Sequence, residues 1–233
     1  MAFDKLMSRP VADTVERLHA RIEARFPGRG LCDVAAELAT LVDQVSSNAA
    51  THRSRIRMAR LVSRVLIAAI VVGTVVALVL TTHAAVGDKG PDGLDWLPLI
   101  ETTINDVVFA AIAVFFLLSF PERLQRGSIL EMLHRLRSLA HIVDMHQLTK
   151  DPERLRASFV PTSVSAEMDL DRDQMERYLD YCSEMLSLVG KTAALCAEES
   201  RDAVVLDTVS TIETLTTGMS RKIWQKISVL SRE

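Results

Sequence analysis

Residues 61–82 read LVSRVLIAAIVVGTVVALVLTT, and from Val65 to Leu80 the run carries no charge and one polar residue, Thr74. With Thr81 and Thr82 it reaches the length, about 17–25 residues, that a helix needs to cross a bilayer. A second segment, 97–120, ends in VVFAAIAVFFLLSF from Val107 to Phe120, apolar apart from Ser119. That run rises only about 21 Å at 1.5 Å per residue, against a hydrocarbon core of about 30 Å. To span, the second helix has to recruit residues back to Glu101, which brings Asn105 and Asp106 to membrane depth.

The charges around these runs set their expected orientation. Arg53, Arg55, Arg57, Arg60 and Arg64 come at or before the start of the first run, and Arg123, Arg126, Arg135 and Arg137 follow the second. The loop between them has Lys89 against Asp88, Asp92 and Asp95. An excess of Lys and Arg marks the cytoplasmic side, so both termini are expected there. The same flanks argue against a buried helical hairpin in a soluble bundle. Trp96 falls where an interfacial aromatic belongs, and Pro98 suits the first turn of a helix, where a missing N–H costs nothing. The first sixty residues are polar and lack the apolar core of a signal peptide. The first span is therefore expected to act as its own insertion signal. Ala- and Arg-rich usage points to a bacterial inner (plasma) membrane.

Composition excludes several classes. The chain has 233 residues, a formal charge of −3, 48% apolar residues and only 5% aromatics. Nine glycines and seven prolines are too few for a turn-rich barrel or sandwich or for a collagen-like chain. Three cysteines (Cys32, Cys182, Cys196) without a CxxC pair exclude a disulfide scaffold and a cysteine zinc site. Residues 121–233 hold fifteen basic and eighteen acidic side chains, and no region is basic enough to suggest a nucleic-acid partner. Phosphate loops, dinucleotide fingerprints, HExxH and nucleophile elbows are absent, so no enzyme and no cofactor is expected.

The fold expected is all-α: an integral membrane protein with a two-helix hairpin and cytoplasmic bundle or coiled-coil segments. Its parts are N-terminal cytoplasmic helices (1–60), a first span (61–82), a short acidic extracytoplasmic loop (83–97), a second span (98–120) and a C-terminal cytoplasmic helical domain (121–233). Val11–Phe26 reads as a short helix stopped by Pro27-Gly28. The next helix is expected to begin near Asp33, a good N-cap. It has no Pro or Gly between Leu31 and Val72 to stop it, and Ser46-Ser47-Asn48 is the expected place for a break. Pro121 is expected to kink or restart the chain, with Ser128 and Glu131 as a capping box. Ile129, Met132, Leu136, Leu139 and Val143 follow three–four spacing, as do Met175, Tyr178, Cys182, Met185 and Val189. Val205–Thr217 is β-branched, yet Val205, Val209, Ile212 and Leu215 fit a helical face. Gly218 is expected to bend that helix before an apolar set of Ile223, Trp224, Ile227 and Leu230.

Two constellations can carry chemistry. Glu101 and Asn105 are four apart on one helix face, with Asp106 one residue around. Ionisable groups within a membrane are costly and usually line a cavity or path. A two-helix hairpin encloses no water path alone, so conduction requires a homo-oligomer around a symmetry axis. Glu101, Asn105 and Asp106 would then form pore-lining polar rings, with Asp95 and Trp96 at the outer mouth, and acidic rings select cations. The second constellation is His141 with Asp144, three apart, a polar pair or two ligands of an unidentified metal. The leading expectation is an oligomeric cation channel whose partners are membrane lipids, further copies of itself and cations. The alternative is a membrane-anchored helical interaction or signalling protein with a cytoplasmic protein partner and no transport.

The layout resembles that of the mitochondrial calcium uniporter family: two membrane helices, coiled-coil flanks, and Trp, acid and Pro opening the second helix. Here the cluster is Asp95-Trp96-Leu97-Pro98-Leu99-Ile100-Glu101, and its order departs from that family's Trp-Asp-x-x-Glu-Pro. The resemblance is one of layout and implies a cation path along the second helix. The Gly-Met-Asn of CorA-type magnesium channels and the potassium filter sequence are absent.

Overall fold

The computed structural model describes the backbone of residues 6–87, 96–156, 158–165, 169–198 and 200–231; side chains at 48–56, 84–87 and 96–99 are also outside the described set. The described residues are helical, with no strand among them. The order is α1 (Ser8–Arg25), α2 (Gly30–Gly87), α3 (Trp96–Leu148), a single 3-10 turn (Pro152–Leu155), α4 (Arg172–Ala197) and α5 (Ala203–Leu230). The chain divides into two compact units: residues 1–49 with 128–233, here the body, and residues 50–127, the apolar unit.

The body has one continuous core. Val11, Val15, Leu18 and Ile22 on α1 pack with Leu31, Leu38, Leu41 and Val42 on α2 and Leu133, Leu136, Leu139 and Val143 on α3. α4 and α5 complete it. The α4 residues Met175, Tyr178, Cys182, Met185 and Val189 are all buried, as their spacing requires for a helix with one apolar stripe. α4 also buries Leu179, Leu186, Ala193 and others, so it is covered on more than one side. α5 buries Val205, Val209, Ile212, Thr216, Met219 and Ile223 at alternating spacings of four and three, the seam of a coiled-coil-like contact. Burial on this seam outweighs the β preference of its Val and Thr residues.

Local chemistry sets the ends. α1 stops where Gly28 takes φ +71°, a left-handed turn that Gly adopts without strain. α4 opens with a capping box that the sequence reading did not identify: Asp171 accepts from the Gln174 N–H, and Gln174 reaches back to the Asp171 N–H. Asp202 caps α5 by accepting from the N–H groups of Val204 and Val205.

Several expected punctuation marks do not end helices. α2 starts at Gly30, which puts Asp33 in the first turn, where the helix dipole favours an acid. No break occurs at Ser46-Ser47-Asn48; Ser46 and Ser47 hydroxyls donate to the carbonyls of Val42 and Gln44 and leave the helix intact. α3 runs through Pro121, so Ser128 and Glu131 lie inside a helix and have no N-terminus to cap. α5 continues past Gly218, and Trp224 is exposed rather than part of the buried set.

In the apolar unit the large side chains point outward. Phe109, Phe115 and Phe116 are 61–69% exposed, and Val65, Val72, Val75 and Ile112 are exposed too. Two stripes are less exposed: Ala59, Ser63, Ile67, Ile70 and Thr74 on α2, and Thr103, Ala110, Val114, Leu117 and Pro121 on α3. Both have the three–four spacing, with one step of seven, of a helix contact face. Both helices are long and apolar enough to cross a membrane, and the most apolar window of each is not buried. The core helix of a soluble domain is mostly buried; these helices leave an apolar surface of a kind that soluble monomers rarely expose.

The α4–α5 seam is tightest at Gly190, where an added Cβ would lie 3.2 Å from the Thr216 Oγ1. Gly190→Val is therefore expected to lower stability by roughly 1–3 kcal/mol, the usual cost of overpacking. Thr216→Ala in the same chain should recover part of that loss, read by denaturant unfolding of the two single variants and the double.

Candidate functional site

The polar residues of the second span stand on α3, within its first three turns. Glu101, Asn105 and Asp106 are exposed. None makes a side-chain hydrogen bond or ion pair with a described residue. At about 100° per residue, Glu101 and Asn105 fall roughly half a turn from the less exposed stripe of α3, and Asp106 falls about 50° from it. The first two thus point away from the surface α3 contributes to its own unit, and Asp106 flanks that surface. Asp106 is about 21 Å from Phe120 along α3 and Glu101 about 28 Å, both less than a hydrocarbon core of about 30 Å. Trp96 begins α3, but its side chain and all of Asp95 lie outside the described residues.

The other expected pair is not joined. His141 is exposed, and Asp144 accepts a hydrogen bond from Gln147 Nε2 at 2.7 Å instead of from His141. Residues three apart share a helix face, and on this face Gln147 has the reach and the amide donor. Among the described residues no group of three or more His, Cys, Asp or Glu converges as a metal site.

A different histidine occupies the polar heart of the body. His146 Nδ1 lies 3.3 Å from the Tyr178 hydroxyl. Its ring passes so close to the start of α2 that a Cβ on residue 30 would meet His146 Cε1 at 2.8 Å. Gly30 allows this close approach. Burial, and then Lys150, push the His146 pKa below its ordinary 6.5, with Asp33 opposing. The Lys150 ammonium sits 5.3 Å from the centre of the Tyr178 ring, and the Phe26 ring meets Tyr178 edge-on at 5.4 Å.

One turn on, Lys226 of α5 donates from Nζ to the carbonyls of Gln147 (2.8 Å) and Lys150 (3.0 Å). Those carbonyls are at the C-terminus of α3, where orphan acceptors and the negative dipole end attract a cation. Lys226 stands three residues after Ile223 and four before Leu230, on the apolar seam itself, and burial lowers its pKa. Arg135 ties α3 to α2 by donating to Gln44 (2.8 Å) and Glu37 (3.0 Å). Cys182 is buried beside this cluster, and desolvation pushes its thiol up to about 12, so it is no nucleophile.

These contacts clamp the end of α3 and the start of α2, the two helices that carry the apolar runs. Neither His146 nor Lys226 stands out in the sequence as a junction residue. The one signal available was a lysine on an otherwise apolar seam position.

No protein-family model, curated protein or solved structure matches this chain. The similarity of layout to calcium uniporters therefore assigns no family.

The His146 contact makes stability depend on pH. Its folded pKa is depressed, so the unfolded chain binds the proton more readily and stability is lost as pH falls below about 6.5. The melting temperature of the detergent-solubilised protein should drop between pH 7 and 5, and His146→Gln should flatten that slope. Lys226→Met leaves the Gln147 and Lys150 carbonyls without their donor and is expected to cost about 1–3 kcal/mol at pH 7.

Proposed function

We propose that the protein is an oligomeric two-span membrane protein in which α3 lines a cation path. The observation that carries this reading is the exposed, unpaired trio of Glu101, Asn105 and Asp106 just before the apolar run of α3, which is too short to span without them. A carboxylate in hydrocarbon is costly unless water, a cation or another chain meets it. No described residue of this chain does so.

The less exposed stripes support a hairpin in which α2 and α3 face each other. In the body the two helices already run antiparallel, with Glu37 and Gln44 near Arg135 and Gly30 near His146. In such a hairpin, Glu101 and Asn105 face away from α2 and toward a neighbouring copy or an axis. Repeated around the axis they form stacked rings, and carboxylate rings favour cations over anions. The arginines beside both runs support a cytoplasmic location for both termini, and the Ala- and Arg-rich usage supports a bacterial inner membrane.

A second reading has its own support. The body is a well-packed helical unit with a core drawn from five helices, more structure than a minimal pore requires. In this reading the hairpin anchors a module that binds a cytoplasmic protein and transports nothing.

Ion flux into liposomes separates the two. Wild-type protein is expected to pass cations, and the double variant Glu101→Ala/Asp106→Ala should abolish the flux or its selectivity at unchanged oligomer mass. Equal flux and selectivity in that variant would sink the path. A stable oligomer that passes no ion under any gradient would favour the anchored module.

A further inference from the structure

The arginines that adjoin the apolar runs have a geometry that cytoplasmic orientation alone does not require. Arg57, Arg60 and Arg64 on α2 are exposed and, at spacings of three and four, share one helix face. Arg123 and Arg126 follow the α3 run and are exposed as well. Glu122 is the one acid within residues 57–64 and 121–127.

The Arg123 side chain shows how such a group lies. Its guanidinium carbon is 5.5 Å from the centre of the Phe116 ring, seven residues earlier in α3. Helical side chains lean toward the N-terminus, and here that direction runs back over the apolar surface. The stem and head lie over Phe116, near the end of the apolar run, and a long cationic side chain there has the reach to carry its charge to a membrane boundary. Lipid phosphates lie at the same boundary. A guanidinium is weakly hydrated and presents a planar fork of donors that matches two phosphate oxygens at once.

We propose that Arg60, Arg64 and Arg123 form a collar that binds the phosphate headgroups of anionic phospholipids while the acyl chains cover the adjoining apolar faces. The inference rests on the membrane reading above, since a hairpin brings the α2 and α3 arginines to one side of the bilayer. Charge and apolarity together select the occupant: a soluble anion would leave Phe116 and Val65 uncovered, and a neutral lipid would leave the guanidinium groups without a counter-charge.

The test uses full-length protein in vesicles of phosphatidylcholine alone or mixed with phosphatidylglycerol. After mild detergent extraction, co-purifying lipid is counted by native mass spectrometry. Phosphatidylglycerol is expected to be enriched several-fold over its bulk fraction, to raise the melting temperature when added back, and to be stripped by high salt. The triple variant R60Q/R64Q/R123Q should lose the enrichment and still enter phosphatidylcholine vesicles. No enrichment in the wild type, enrichment that high salt leaves intact, or enrichment retained by the triple variant would overturn the collar. Inorganic phosphate giving the same thermal shift as the lipid would overturn it in favour of a free-anion site. Carbonate extraction from phosphatidylcholine vesicles reads the spans separately. Wild-type protein washed out by carbonate refutes the membrane reading and the collar together; protein retained without enrichment refutes the collar alone.

Discussion

An α-helix closes its backbone hydrogen bonds within itself, and this chain uses that property over unusually long distances. α2 holds 58 residues and α3 holds 53. Each runs from a packed, polar-capped body into a stretch whose apolar side chains face outward. A strand or loop would expose unpaired N–H and C=O groups in hydrocarbon, at several kcal/mol each. A continuous helix carries no such penalty, so one element can serve two environments. The arrangement of the rest follows from where these two helices are held and what surrounds their exposed parts.

They are held by polar contacts set into an apolar core. Lys226 reaches the Gln147 carbonyl in the last turn of α3 and the Lys150 carbonyl just beyond it, and His146 packs on the first residue of α2. A buried or half-buried polar group is costly unless its partners are in place. These contacts therefore specify one register of the body more sharply than Leu and Val packing does. They also place a titratable imidazole where the helices that carry the apolar runs start and end. Arg21 with Glu184, Arg29 with Asp169 and Arg135 with Glu37 are more exposed, and pairs of that kind contribute little individually.

The periodic elements were readable in advance because burial of a helix face imposes a three–four repeat that composition alone would not produce. The stripe on α4 and the Val205–Leu215 face on α5 are examples, including the choice of helix over strand. Punctuation was read less well. Ser46-Ser47-Asn48 and Ser128 look like boundaries and Pro121 like a restart, yet each lies inside a helix. The preferences of such residues amount to about 1 kcal/mol for Ser, Asn and Gly and about 3 for Pro. Tertiary contacts and lipid-length apolar runs outweigh them. His141 and Asp144 share a face, and yet Asp144 bonds to Gln147, because spacing places residues near one another without choosing among competing partners.

The sequence by itself determined that the chain is helical, that two apolar runs are long enough to cross a bilayer, and that Glu101, Asn105 and Asp106 interrupt the second. Each is a local property, a repeat or a run, written in consecutive residues. Only the tertiary structure decided that α1 and the start of α2 share a core with α4 and α5, and that His146 rather than His141 occupies the polar junction. The same holds for Lys226 closing the end of α3 and for Glu101 and Asn105 turning away from the stripe of α3. Those facts depend on contacts between residues far apart in the chain, where the gain from burial and the cost of unmet hydrogen bonds are settled together.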